Sequence, residues 1–298
     1  MNILVIGSSG QLGSEFLSNE GYKDFSFFSP SSSDLDINDE EEINNYLVKN
    51  QIQIVINFAA YTNVDQAEDD YKKANNINYL SLKKIITYLN KNNIYLIHIS
   101  TDYVFGKNQE GPFKEYDITS PINKYGISKE LGEKEIINNL KKGLIIRTAS
   151  LYGLFGSNFF KTFYNLLLDK KTISAISDQK ISLTNSLDLV NFIYLFIRHY
   201  IDNSTQDLFN NVKIYHIVNK GFTNWYEVAK TIANEMELLD GSISYSVNEI
   251  SSDEWKSKAI RPPDSRLVVS ELILSSLDYD MPNWEDSLRK TVKLNYDK

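Results

Sequence analysis

Four near-continuous apolar runs constrain this chain more than any other feature: Ile3 to Ile6, Ile54 to Phe58, Tyr95 to Ile99 and Leu144 to Ile146. A strand with one wet face alternates apolar and polar residues. A strand that is apolar throughout is read as covered on both faces, which is the habit of parallel sheets. Phe25 to Phe28 supplies a further strand-like run. Between the runs lie segments with helical spacing: Gln11 to Asn19, Glu40 to Lys49, Val64 to Asn90 and Asn123 to Asn138. Glu40 to Lys49 gathers Ile43, Tyr46 and Leu47 on one side, and the next segment places Val64, Ala67, Tyr71, Ala74 and Ile77 on one stripe. Strand and helix in alternation predict an α/β fold with a doubly wound parallel sheet over residues 1–156.

Beyond Gly156 the alternation loosens. Phe159 to Leu168 and Leu187 to Tyr200 are read as helices, and Ile214 to Val218 as a strand. Asn224 to Glu237 is read as a helix with Asn224 as its N-cap. Residues 157–298 are therefore expected to form a smaller α/β part, mainly substrate-binding, with strands and helices free to exchange between the two parts.

Composition removes several classes of function. The chain has 298 residues, no cysteine, and a net charge of −8. Disulfides, thiolate catalysis and zinc–thiolate sites are excluded. The acidic balance argues against nucleic acid as the main ligand. His98, His199 and His216 are scattered, so each is read as structural and no metal site is expected. The start lacks the basic and apolar regions of a signal peptide, and the longest apolar stretch near Phe192 to Ile197 is too short to span a bilayer. A soluble cytoplasmic protein without a membrane partner is the expectation.

The first run leads into Gly7-Ser8-Ser9-Gly10-Gln11-Leu12-Gly13, a G-x-x-G-x-x-G loop opening a helix. Backbone N–H groups at a helix start can hold a pyrophosphate, and glycine lets the backbone approach it. A plain glycine turn is the bland alternative, but the position after the first strand favours a dinucleotide and a Rossmann-like domain. No acidic residue ends the second strand; Asp34 and Asp36 follow shortly, and no arginine is nearby. Ser31, Ser32 and Ser33 form a turn or accept a 2′-phosphate, with the turn preferred. The cofactor is thus NADPH or NADH, tipped slightly to NADPH. Small residues at Ala59 and Ala60 leave room for a cofactor at the third strand's end.

Tyr125 and Lys129 stand four residues apart, on one face if the segment is helical. A phenol beside an ammonium is a candidate acid/base pair. With 19 tyrosines such spacing also arises by chance, as a solvated helix face. Ser100-Thr101-Asp102 follows the fourth run, where ligands bind in open parallel sheets. Thr101 could bond a substrate carbonyl; a turn cap is the alternative. The ordered series of glycine loop, small strand end, Ser-Thr and Tyr-x-x-x-Lys favours catalysis.

That series resembles the extended short-chain dehydrogenase/reductases, and within them the dTDP-4-dehydrorhamnose reductase family. The resemblance is carried by Gly7 to Gly13, by Asn57-Phe58-Ala59-Ala60-Tyr61-Thr62-Asn63-Val64-Asp65-Gln66-Ala67-Glu68, and by Ser100-Thr101-Asp102-Tyr103-Val104-Phe105. It continues through Pro121 to Lys129, Gly132-Glu133, Arg147-Thr148, Asp178-Gln179 and Arg261-Pro262-Pro263-Asp264-Ser265-Arg266-Leu267. It implies NAD(P)H-dependent reduction of a nucleotide-linked 4-keto-6-deoxyhexose, most closely dTDP-4-dehydro-L-rhamnose. Tyr125 would be the general acid. Lys129 would hold the nicotinamide ribose and help lower the Tyr125 pKa, and Thr101 would orient the carbonyl. Gly10, Gln11 and Leu12 would meet the pyrophosphate, with Asp36, Ala60, Tyr61 and Thr62 at further cofactor positions. Asp102 would border the sugar and Arg261 reach the substrate diphosphate. Magnesium and a homodimer enter through the resemblance alone, since some family members use them.

Two departures fall on the substrate side. Ser150 stands where the family commonly has tryptophan, so it would adjoin the sugar, and Ile181-Ser182-Leu183-Thr184 replaces a Gly-x-Pro-Thr run. The competing readings are another nucleotide-sugar ketoreductase or epimerase, and a non-catalytic NADP-binding subunit resembling the regulatory subunit of methionine adenosyltransferase. A 4,6-dehydratase is disfavoured because Tyr103, not glutamate, follows Asp102.

Overall fold

The computed structural model describes residues 1–19, 25–37, 39–202, 209 and 211–297. A six-stranded sheet runs through the larger part of it. Its strands are β1 (Asn2–Ile6), β2 (Ser26–Phe28), β3 (Ile54–Asn57), β4 (Tyr95–Thr101), β5 (Gly143–Thr148) and β9 (Val212–His216), in the order β2-β1-β3-β4-β5-β9. Every pairing is parallel. The order reverses direction at β1 and β3, and such a switch point opens a crevice at the strands' carboxyl ends.

The apolar runs are explained by coverage on both faces. Ile3, Val5, Ile54, Ile56, Tyr95, Ile97, Leu144 and Ile146 enter one core with α1 (Gln11–Ser18) and α8 (Ser186–Asp202). The alternate residues Leu4, Ile6, Val55, Leu96 and Ile145 enter a second core with α2 (Glu40–Lys49), α5 (Ser81–Lys91) and α6 (Lys124–Asn139). Each large aliphatic side chain removed from water in these layers contributes about 1.5–3 kcal/mol before entropy is counted. Both β9 and α8 come from the second half of the chain, so the large sheet layer draws on both halves.

A third core binds α7 (Phe159–Lys170), α9 (Trp225–Asp240) and α10 (Trp284–Tyr296) through Phe160, Leu167, Val228, Ile232 and Leu288. Strand β7 (Thr172–Ile176) pairs in parallel with β10 (Ser246–Ile250) at its edge. Strand β6 (Leu151–Tyr152) pairs with β8 (Thr184–Asn185). Asn224 caps α9 as expected, its Oδ1 accepting from the Glu227 N–H at 2.8 Å.

One segment is subdivided and one boundary needs correction. Val64 to Asn90 is helical overall but divided into α3 (Val64–Ala67), α4 (Tyr71–Asn75), a π-helical turn (Asn76–Leu80) and α5. Asp70 restarts the helix, its carboxylate accepting from the Lys73 N–H at 3.1 Å, and the π-turn turns Asn78 inward. The last sheet strand begins two residues earlier than expected, at Val212, and ends at His216; Ile217 and Val218 continue buried beyond the ladder.

Candidate active site

The glycine loop joins β1 to α1 by a backbone that a side chain would disrupt. Gly7 has φ +78°, and a Cβ there would lie 2.5 Å from the Ala59 nitrogen. A Cβ on Gly13 would lie 2.3 Å from the Gly7 carbonyl oxygen. The glycines thus let β1, β3 and α1 meet at the switch point. Gly10 caps α1 without a side-chain bond, so the helix start faces the crevice with its N–H groups available.

Tyr125 and Lys129 stand one turn apart on α6. Asn123 caps that helix, accepting from the Gly126 N–H at 2.8 Å, and its Nδ2 donates to the Ile260 carbonyl at 3.0 Å. Asn78, which no sequence pattern marked, fixes the same helix from the side. Its Nδ2 donates to Ser128 Oγ at 2.9 Å, and its Oδ1 accepts from the Tyr61 N–H at 2.8 Å. The π-turn therefore locks the Tyr61 loop to the helix that carries Tyr125 and Lys129, in keeping with the frequent placement of π-bulges at functional sites.

A cavity of about 630 Å³ is lined by Gly10, Gln11, Leu12, Ala60, Thr62, Thr101, Tyr125, Lys129 and Ser150. Nine of the expected site residues thus meet in one space. Gly7, Asp36 and Ala59 line a neighbouring cavity of about 310 Å³ with Ser31 and Ser32. Ser31 is in a turn, its N–H and hydroxyl both donating to the Asp34 carboxylate, at 3.1 and 2.6 Å. Gly13 backs the loop, and Tyr61 is held through its backbone. Arg261 lines a third cavity of about 630 Å³ with Phe159, Phe163, Gln179, Trp225 and Trp255, and its side chain also reaches Tyr103, whose ring meets Tyr125 edge-on at 6.0 Å. Its guanidinium forks onto Asp65 at 3.2 and 3.0 Å, which holds that carboxyl below its ordinary value.

The fit to a dinucleotide is supported by the donors left over. Gln11 Nε2 and Ser100 Oγ are buried without a hydrogen-bond partner among the described residues, and both residues line the first cavity. Buried polar atoms of this kind are normally satisfied by a ligand or water.

The electrostatics suit an acid. Burial pushes the Tyr125 phenol up to about 12; the Thr101 hydroxyl opposes this and Asp102 adds to it. The Lys129 amine donates to the Ile99 carbonyl at 2.6 Å and lies 3.3 Å from His98 Nε2. Burial brings Lys129 down to about 8, against the Glu133 carboxylate. Asp102 is buried behind Thr101, whose hydroxyl donates to Oδ1 at 2.9 Å. Burial raises Asp102 to about 6, against hydrogen bonds from the Ser265 and Thr101 hydroxyls. His98 was read as structural, yet it stands directly behind Lys129. Its place on β4 is decided by sheet register, which no local spacing reveals.

The substrate-side departures are accommodated differently. Ile181, Ser182, Leu183 and Thr184 are all buried, with Thr184 Oγ1 accepting from Thr148 Oγ1 at 2.7 Å and Ser182 Oγ from the Leu267 N–H at 3.1 Å. Ser150 has φ +41° and puts a small hydroxyl at the cavity wall. Among the described residues no group of three or more His, Asp or Glu side chains is placed to hold a metal, and no helix is long and apolar enough to cross a membrane.

Comparison with known proteins places the whole chain. The family model described as the RmlD substrate binding domain matches residues 1–296. The chain is 31% identical to the spore coat polysaccharide biosynthesis protein SpsK of Bacillus subtilis, over 98% of this chain and 96% of the other. It is 30% identical to the dTDP-4-dehydrorhamnose reductase of Salmonella typhimurium, over 98% and 97%. The crystal structure of the dTDP-4-dehydrorhamnose reductase of Bacillus anthracis in complex with NADP superposes with a TM-score of 0.86 at 29% identity, covering 98% of this chain and 99% of that one. With one model spanning nearly every residue and full-length relatives at this level, the chain belongs to the RmlD family, that of the dTDP-4-dehydrorhamnose reductases.

Proposed function

We propose that the protein is a cytoplasmic oxidoreductase that reduces the 4-keto group of a dTDP-linked 6-deoxyhexose, dTDP-4-dehydro-L-rhamnose being the first candidate. The observation that carries this is the shared cavity: Thr101, Tyr125 and Lys129 meet the glycine loop residues Gly10, Gln11 and Leu12 in one space. Bound NADPH supplies the hydride for the keto carbon.

The chain's own residues supply the rest. The N–H groups at the start of α1 bind pyrophosphate oxygens. On substrate binding the Thr101 hydroxyl turns from the Asp102 carboxylate, to which it donates at 2.9 Å, to the substrate carbonyl, orienting it and stabilising the charge that grows on its oxygen. Tyr125 gives its phenolic proton to that oxygen, completing the alcohol; a phenol held near 12 is protonated throughout the physiological range and so serves as the acid. Lys129 donates toward the cofactor ribose. Arg261, fixed by Asp65, presents a guanidinium at the aromatic cavity where Trp225, Trp255 and Phe159 can face a pyrimidine base. Guanidinium forks suit diphosphate oxygens.

The test is a panel of 4-keto nucleotide sugars with both nicotinamide cofactors, followed by loss of NAD(P)H absorbance. Turnover of dTDP-4-dehydro-L-rhamnose with NADPH supports the proposal. Tight cofactor binding with no turnover of any member would replace it with the regulatory-subunit reading.

A further inference from the structure

Thr101 ends β4 and Asp102 opens the turn after it, and both are buried. A threonine hydroxyl has one proton and two lone pairs. One lone pair takes the Tyr103 N–H at 3.2 Å. The proton goes to Asp102 Oδ1 at 2.9 Å. The other carboxyl oxygen, Oδ2, is buried and receives no hydrogen bond of good geometry, although the Ser265 hydroxyl is close to the carboxyl. The bond from Thr101 is therefore among the few that support a negative charge there.

A ligand carbonyl has no proton to give. To bond one, Thr101 must aim its single proton into the cavity it lines with Ser100 and Tyr125. Its second lone pair then faces Asp102 Oδ1. Two acceptor oxygens at hydrogen-bond distance repel, the more so when one is charged and buried. A proton between them removes the conflict, and of the two groups only the carboxyl can take one up. Burial already brings that carboxyl to about 6, within reach of neutral solution. The titratable groups that face it are Tyr103 after β4 and Tyr125 on α6, both kept as neutral phenols by burial. Arg261 reaches Tyr103 from residues 261–267, where Asp264 is engaged by Arg266. Lys129, one turn further along α6, gives its bond to the Ile99 carbonyl. Strand β5 sets the uncharged Thr148 opposite Thr101.

We propose that Asp102 is a positioning residue that takes up one proton from solvent as the substrate carbonyl binds, so that its carboxyl O–H donates to Thr101 Oγ1 and frees the Thr101 proton for the carbonyl. One O–H bond forms on Asp102, the buffer loses that proton, and nothing is oxidised or reduced. A chain of donors then runs from Asp102 through Thr101 to the carbonyl oxygen, beside Tyr125. No carboxylate charge is left to oppose the negative charge that grows on that oxygen. The inference rests on the reductase reading, in which Thr101 meets the carbonyl, but its test counts protons on binding and not turnover, so it can fail while that reading stands.

The experiment is calorimetric titration of the full chain, saturated with tetrahydro-NADP, by dTDP-4-dehydro-L-rhamnose. That cofactor analogue has no hydride to transfer, so the ketone persists. Repeating the titration in buffers of different ionisation enthalpy counts the protons taken up. Loss of one hydrogen bond to the charged form should raise the Asp102 midpoint by about one to two pH units. At about pH 7, roughly 0.4 to 0.8 of a proton should then enter per sugar bound, and under about a tenth at about pH 5. The sugar's dissociation constant should rise about ten- to fiftyfold between about pH 5 and about pH 8. Both dependences should vanish in Asp102→Asn and in Thr101→Val, and return in Thr101→Ser. Binding without proton uptake, or with the same uptake in Asp102→Asn, would overturn the proposal. If Asp102→Asn does not fold, the Thr101 pair decides: uptake with serine but not valine supports it, and uptake with both sinks it. No binding of the sugar at all would remove the reductase reading and this inference with it.

Discussion

Arg147 on β5 and Glu133 on α6 form a buried bidentate ion pair, with Nε to Oε1 at 2.9 Å and Nη2 to Oε2 at 2.7 Å. Both side chains are nearly inaccessible to water. Arg147 also donates to the Glu115 carbonyl at 3.2 Å and stacks over the Phe105 ring, 5.0 Å from its centroid. The pair fastens the helix of Tyr125 and Lys129 to the central sheet. Removing one partner strands the other charge, which costs about 3–5 kcal/mol. Glu133→Ala should lower the unfolding free energy by that amount in urea titration. The double variant Glu133→Leu, Arg147→Met should recover part of it, costing less than the sum of both single losses; a double variant that costs as much as that sum would show that the two charges are not coupled.

Tyr125→Phe removes the proposed proton donor and leaves the ring in place. General acids contribute about 10²–10⁴ in rate, so kcat should fall by that factor. The dissociation constant for NADPH, measured by fluorescence, should stay within about twofold, because one lost hydrogen bond at the ligand's edge costs little. Near-normal kcat in the variant would remove Tyr125 from the mechanism.

Asp102 makes stability depend on pH. Its carboxyl is raised from 3.8 to about 6 in the folded chain. Between those values the folded protein keeps a proton that the unfolded chain releases. The contribution is full below about pH 4 and lost as pH rises through about 6, on the order of 3 kcal/mol in all. Asp102→Asn lacks the term, so its stability relative to wild type should climb as pH goes from about 4 to about 7. Urea midpoints across that range measure it, and a constant difference would contradict the assignment.

Gly13→Ala tests the close packing of the loop. The added Cβ would meet the Gly7 carbonyl oxygen at 2.3 Å and Ser8 Cα at 2.7 Å, and neither is a flexible side-chain end. Overpacking of this kind costs about 1–3 kcal/mol. NADPH affinity should fall by roughly ten- to hundredfold through the displaced loop. Calorimetric titration checks it; unchanged affinity would mean that the loop does not bind the pyrophosphate.

Legibility varied with the range of the interaction. The sheet strands Ile3 to Ile6 and Ile54 to Phe58 could be read because both faces are covered and the residues show it directly. The helix of Tyr125 and Lys129 could be read because its spacing and Asn123 cap are local. The break in Val64 to Asn90 could not, because Asn78 is turned inward by partners 17 and 50 residues away. Strand β10 was also hidden. It is largely exposed, and only pairing with β7, more than 70 residues earlier, makes it a strand.

By itself the sequence determined the α/β layering, the glycine loop and the order of the Thr101, Tyr125 and Lys129 motifs, since each depends on residues within a turn or a run. Tertiary structure alone decided that these residues share a cavity, that Arg261 stands on a separate one, and that His98 backs Lys129. The reason is physical. Burial and cross-strand register set which donor meets which acceptor and which charge is desolvated, and neither is a property of neighbours along the chain.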